Sequence, residues 1–294
     1  MNIAQNLGRW GNRLLATLPR ETLAMLERDL TQVSLSQGVV CFDVGDPIDR
    51  VYFPSTGMIS LLIATKDGKV VEAGAIGRGG AAGLQSAFGA RRSYTRAIIQ
   101  IPGTFTTISA VDFRHAASHN GVIRDLASRY TEVLWAETQQ TAACNAIHDG
   151  SQRLCRWLLQ SADCIGSDHL LLTQEYLADM LGLRRTTVTL LAQELQERGA
   201  IRYSRGKIMI LDRKALEACA CECYEATKDE NLSLKTGVTL IKDSTLMALP
   251  GLTGATDANV IRRSTPPGAL PRRREAAGGQ ALDFGAPSGR SGSS

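Results

Sequence analysis

The sequence predicts an α+β protein: an N-terminal β-barrel of jelly-roll type, then a long helix, then a C-terminal helix-turn-helix with a wing, and a disordered tail. Three observations carry this. Short apolar strands alternate with glycine-marked turns as far as Ser109. Apolar residues then recur at three- and four-residue steps as far as Ile147. Finally, TQEYLADMLGLRRTTVTLLAQELQERG, from Thr173 to Gly199, reads as two helices joined by a tight turn. The expected boundaries are 10–110 for the barrel, 111–147 for the long helix, 148–227 for the helix-turn-helix and wing, and 228–294 for the tail.

Composition sets wide bounds. A chain of 294 residues, 44% hydrophobic, has material for two domains with sizeable cores. A net charge of +4 says little about partners. Its distribution says more: Thr173–Lys214 holds eight Lys/Arg against five Asp/Glu. The start, MNIAQNLGRWGN, lacks the apolar stretch of a signal peptide, and the longest apolar run, Met58–Ala64, is strand-sized. No membrane association is therefore expected. Seven cysteines, an odd number, point to free thiols in a reducing cytoplasm.

Leu14–Leu30 reads as one or two short amphipathic helices interrupted at Pro19. The strand candidates are Val39–Asp43, Val51–Pro54, Met58–Thr65, Val70–Ala75, Ala97–Ile101 and Thr104–Ser109. Asp67-Gly68 marks a hairpin between two of them. IGRGGAAGLQSAFGARRSY, Ile76–Tyr94, breaks the strand pattern and should be a loop with one helical turn. Its amides, with Arg78, Arg91 or Arg92, could hold an anion; a connecting loop with a solvated arginine pair is the plainer account. Leu126, Tyr130, Val133, Leu134 and Ile147 lie on the apolar stripe of the long helix. That stripe meets a partner helix, its own barrel, or both. A further helix at Gln152–Ala162 buries Leu154, Trp157 and Leu158.

In the two-helix stretch, Thr173 is an N-cap type and Glu175 suits the positive helix end. Ala178, four residues before Gly182, lets the second helix approach closely, and Gly182 makes the turn. Leu177, Leu181, Leu183, Val188 and Leu191 form the small core. That spacing is the pattern of a DNA-binding helix-turn-helix, whose second helix enters the major groove. The side chains facing outward at its start are Arg184, Arg185, Thr186, Thr187 and Thr189, all donors. Arginine suits a guanine edge; threonine suits phosphate or a thymine methyl. Two short strands around Ser204-Arg205-Gly206 form a wing whose Arg202, Arg205 and Lys207 suit phosphates. After Pro250 the chain is rich in Gly, Pro, Ser, Ala and Arg, including Arg272–Arg274, and reads as a solvated tail.

With these residues in this order, the chain resembles the Crp/Fnr family of bacterial transcription regulators over about residues 10–226. The likeness is strongest over RLCRWLL, the helix-turn-helix, the wing GKIMILDR and LEACACECY. It implies a cytoplasmic homodimer joined through the long helices, double-stranded DNA with an inverted repeat as partner, an effector site or altered surface in a cyclic-nucleotide-binding-like barrel, and RNA polymerase as a further partner. Arg185 falls where the family's catabolite activators place a guanine-reading arginine. Their following glutamate is Thr186 here, and a second contacting arginine is Leu190, so the DNA read should differ. The family's ribose-binding glutamate segment corresponds to Gly80-Ala81-Ala82-Gly83, without a carboxylate; Gly79, Gly80, Ala81 and Gly83 are the candidate effector residues of this loop. Arg91 or Arg92 stands nearest the phosphate-pairing arginine, out of clean register. The iron–sulfur branch needs cysteines near the N-terminus, and the first here is Cys41.

No cofactor, metal site or catalytic residue is expected. Cys219, Cys221 and Cys223 would not face one point on a helix and read as packing or an adventitious thiol cluster. His115 and His119 lack the glutamate of a metalloprotease motif and read as surface histidines. A sequence-specific regulator is the leading function. A small-molecule sensor acting allosterically through the barrel is the alternative, and an interaction protein that has lost DNA reading is the third.

Overall fold

A computed structural model describes residues 9–89 and 92–228. Arg91, Arg272–Arg274 and the expected tail after Lys228 lie outside these residues. A helical turn at Leu15–Thr17 and helix α1, Arg20–Glu27, flank Pro19, the N-cap residue of α1, whose ψ of 145° lies outside the helical region. Seven strands follow: β1 Thr31–Leu35, β2 Val40–Phe42, β3 Arg50–Pro54, β4 Met58–Ala64, β5 Val70–Ile76, β6 Arg96–Ile101 and β7 Gly103–Ser109. They pair antiparallel in two sheets, β1-β7-β3 and β2-β6-β4-β5. β1 was not among the expected strands. Its sequence, TQVSL, is polar, and pairing with β7 over the whole of its length makes it a strand. Phe42, Ile48, Ile59, Leu61, Ile76, Ala82, Ala97, Ile99 and Phe105 fill the barrel.

Helix α2, Ala110–His119, is capped by the Ser109 hydroxyl, and α3, Gly121–Ile147, by the Asn120 side chain. The helical stretch expected from residue 111 is therefore broken at Asn120, which leaves helical geometry so that its side-chain Oδ1 can accept from the Val122 and Ile123 amides of α3. His115 and His119 stack on α2 at 4.3 Å between ring centroids, both exposed. Asp149 opens α4, Gly150–Ile165, in a capping box with Gln152, and Gly166 ends it with φ +70°.

The C-terminal part comprises β8 His169–Leu171, α5 Gln174–Leu181, α6 Arg185–Glu197, β9 Ile201–Ser204, β10 Lys207–Ile210 and α7 Arg213–Cys219, with residues 223–228 also helical. The wing is a three-stranded sheet, β8-β10-β9. β8 joins it through an edge that sequence alone did not reveal. One apolar core runs from the barrel residues Met58, Leu62, Ala75 and Ile101 into Leu154, Trp157, Leu158, Leu177, Val188, Leu195 and Ile208. Each leucine, isoleucine, valine or methionine among them contributes roughly 1.5–3 kcal/mol on burial. The second helical part is thus packed on the barrel rather than strung from it.

Candidate nucleic-acid interface

The turn between α5 and α6 is built as its residues require. The Thr173 hydroxyl accepts from the Tyr176 amide at 3.3 Å, capping α5. Gly182 adopts φ +59° at the helix end, where a side chain would be strained. Leu177, Ala178 and Leu181 are buried against Val188, Ala192 and Leu195 of α6. This core holds Arg184 as the N-cap residue of α6 and Arg185 as its first helical residue. Arg184, Arg185 and Thr186 are exposed and Thr187 is half-buried.

Thr189 behaves differently. Its hydroxyl sits 2.9 Å from Gln174 Oε1 and 3.0 Å from the Arg185 carbonyl, so it ties α6 to α5 instead of facing a partner. Sequence reasoning missed Gln174; its place as the first residue of α5 was the available signal.

The wing turn places Arg205 at φ +48° and Gly206 at φ +74°, the mirror-image turn that matches strand twist in a two-residue hairpin. It leaves Arg202, Arg205 and Lys207 exposed. None of Arg184, Arg185, Arg202, Arg205 and Lys207 is paired with a carboxylate among the described residues. Five unpaired cations thus lie on one recognition helix and its wing, which suits a polyanion.

The described loop residues expected to hold an effector make contacts within the fold. Ala81 is buried, and a Cβ on Gly80 would overlap the Tyr130 hydroxyl. Gly83 has φ +91°, and a Cβ there would come within 2.7 Å of the Arg50 carbonyl oxygen. The Gly80 and Ala82 amides are spent on the Gly77 and Tyr52 carbonyls. Arg92 turns outward, its Nη1 donating to the Gly45 carbonyl at 2.6 Å. Gly79 lines a cavity of about 440 Å³ with Arg13, Arg78, Glu137 and Arg213, outside the barrel.

Most of the expected dimer residues have partners within the chain itself. Tyr130 and Val133 are buried, and Tyr130, Leu126 and Leu134 pack on the chain's own barrel and N-terminal segment. Periodicity identified an apolar stripe but not what covers it. Of the expected set only Ile147 is exposed, at 75%; Trp135, on the opposite face, is 66% exposed. Around Trp135 lie Ser128, Glu132, Gln139, Ala142 and Ala146, repeating at alternating steps of four and three.

Two features of the junction escaped sequence reasoning. Glu72 on β5 is buried and accepts from Trp157 Nε1 of α4 at 2.8 Å and from the Ser60 hydroxyl. Burial pushes its carboxyl up to about 7, against the pull of those two bonds and of Arg156. The second concerns the expectation of no metal-ligating set. Helix α7 stops at Cys219, and Ala220 is extended, so Cys221 and Cys223 do not follow helical spacing. Their sulfurs meet Cys144 and His148 from α3 and its C-cap. The i,i+4 spacing of Cys144 and His148 was the signal in the sequence. Cys219 faces Ser151 instead.

Two family models match this chain. The cyclic nucleotide-binding domain matches residues 32–120 and the Crp-like helix-turn-helix domain residues 152–219, together more than half of the sequence. No curated protein matches. Among solved structures, a CRP/FNR-family transcriptional regulator from Thermus thermophilus is 26% identical, covering 65% of this chain and 98% of its own at TM-score 0.51. FixK2 from Bradyrhizobium japonicum shares the fold at 17% identity, TM-score 0.57, with 65% and 98% covered. So does the c-di-GMP responsive global regulator CLP of Xanthomonas campestris at 16% identity, TM-score 0.54, with 65% and 99% covered. Barrel, long helix and winged helix-turn-helix together define a DNA-binding transcription regulator. The chain belongs to the Crp/Fnr family. Among the described residues no helix is long and apolar enough to cross a membrane.

Proposed function

We propose that this regulator reads inverted-repeat DNA as a homodimer in the cytoplasm, acting by binding and not by catalysis. The observation that carries this is the unpaired cationic set at the start of α6 and on the wing, held by a fully packed helix-turn-helix core. Arg185 reads a base edge, and Arg184, Thr187, Arg202, Arg205 and Lys207 hold phosphates. Thr186 stands beside Arg185 on the exposed side of α6 and sets the base preference next to it. Thr173 and Thr189 support the geometry from behind.

The dimer forms through the exposed α3 face centred on Trp135, where the small side chains of Ala142 and Ala146 let a second helix approach. Two recognition helices then lie about one DNA turn, ~34 Å, apart. RNA polymerase is a further partner on this reading. Apolar side chains clustered in the barrel, and Ala81 where a carboxylate would be needed, support a reading in which cyclic nucleotides are not the effector. Selection of bound fragments from a random DNA library with the full chain tests the proposal. An inverted repeat with a guanine preference in each half-site supports it; unselective recovery refutes it.

A further inference from the structure

The ligating atoms of Cys144, His148, Cys221 and Cys223 all lie within 4.8 Å of one another, although their residues come from two distant parts of the sequence. The Cys144 and Cys221 sulfurs are 3.5 Å apart, and Cys223 Sγ is 3.6 Å from His148 Nδ1. For tetrahedral zinc, with bonds of ~2.3 Å to sulfur and ~2.0 Å to nitrogen, ligand atoms stand ~3.5–3.8 Å apart. The Cys144–Cys221 and Cys223–His148 distances match ligands of one ion, and no two of the four atoms stand more than 4.8 Å apart, too tight to enclose a polynuclear iron–sulfur core.

From this geometry we propose that Cys144, His148, Cys221 and Cys223 form a closed zinc site that clasps the end of α3 to the segment after α7. Three thiolates and one imidazole complete the four positions, leaving none open, as in structural rather than catalytic zinc centres. Soft sulfur donors favour zinc over magnesium or calcium. Zinc displaces the thiol protons to solvent, and no electron is transferred.

The surroundings fit such a site. His148 Nε2 faces Glu222 Oε1 at 3.2 Å, the carboxylate–histidine arrangement that orients a metal-bound imidazole. Gln140 Nε2 donates to the Cys223 sulfur at 3.0 Å. A zinc ion with three thiolates carries one net negative charge. The buried Arg156 acts electrostatically on Cys144, and Arg153 on both Cys144 and Cys221. The site spans the break at His148 between α3 and α4, the joint through which the long helix meets the DNA-binding part.

Titration of reduced, metal-free full-length protein with cobalt(II) tests this, followed by displacement with zinc(II). The expected result is one equivalent bound, with thiolate-to-cobalt charge transfer and the intense visible absorption of tetrahedral cobalt, both erased by one equivalent of zinc. Cys144→Ser and Cys221→Ser should lose the bands or weaken zinc binding at least ~10-fold, while Cys219→Ser keeps both. Stoichiometric cobalt binding by the unaltered chain keeps the test independent of variant folding. Zinc binding weaker than about micromolar, octahedral cobalt spectra, or bands that vanish in Cys219→Ser would overturn the site. So would a Cys144–Cys221 disulfide that forms in air despite stoichiometric zinc.

Discussion

Replacing Glu72 with Gln isolates the buried carboxyl that joins barrel and DNA-binding part. In the folded chain this group titrates at about 7, against 4.5 for an ordinary glutamate. The folded state therefore keeps a proton that the unfolded state has released. Stability from this proton is full below pH ~4.5, declines as pH rises through the interval, and is gone above ~7. At ~1.4 kcal/mol per pH unit, the interval corresponds to about 3 kcal/mol. Glutamine keeps the shape: its carbonyl accepts from Trp157, and its amide donates to the Ser60 hydroxyl. Glu72→Gln should match the parent near pH 4.5 and exceed it by up to ~3 kcal/mol at pH 8, or ~2–4 °C of Tm for each kcal/mol. Chemical denaturation at half-unit pH steps reads the difference directly. Parallel curves for the two proteins between pH 4.5 and 8 would show that Glu72 is not a buried protonated group, and the reasoning would fail.

Four further outcomes follow from the interface and the barrel. Arg185→Ala should cost on the order of 1–3 kcal/mol of specific DNA binding and relax preference at one position per half-site, measured by competition against a panel of sites. Lys207→Ala should weaken all sequences alike and reduce the salt slope by about one, read from affinities across a salt series. Trp135→Glu should give a monomer in sedimentation with little change in Tm, whereas Leu134→Glu should lower Tm by disrupting the packing of α3 on the barrel. Calorimetry with cyclic AMP should show no saturable binding tighter than ~100 μM, since Ala81 supplies no acceptor for a ribose hydroxyl and Arg92 points away.

The sequence by itself determined the helix-turn-helix. Its information is local: a capping threonine, a small residue, a glycine that must take positive φ, and apolar positions at helical spacing all lie within one short stretch. The wing was legible for the same reason, since Arg205-Gly206 specifies its own turn. Most barrel strands announced themselves through apolar runs between turns, but polar β1 and short β8 did not, because hydrogen bonding to distant strands makes them strands. Periodicity placed Tyr130, Val133 and Leu134 on the apolar side of the long helix, yet a stripe is equally apolar whether a partner or the chain's own barrel covers it. Only the tertiary structure shows Leu126, Tyr130 and Leu134 packed on the chain's own barrel and N-terminal segment, with Trp135 exposed. It alone brought Glu72 to Trp157, and Cys144 and His148 to Cys221 and Cys223. Those groups are separated by long stretches of sequence, and their chemistry depends on burial and on distances of a few ångströms, which only the packed chain defines.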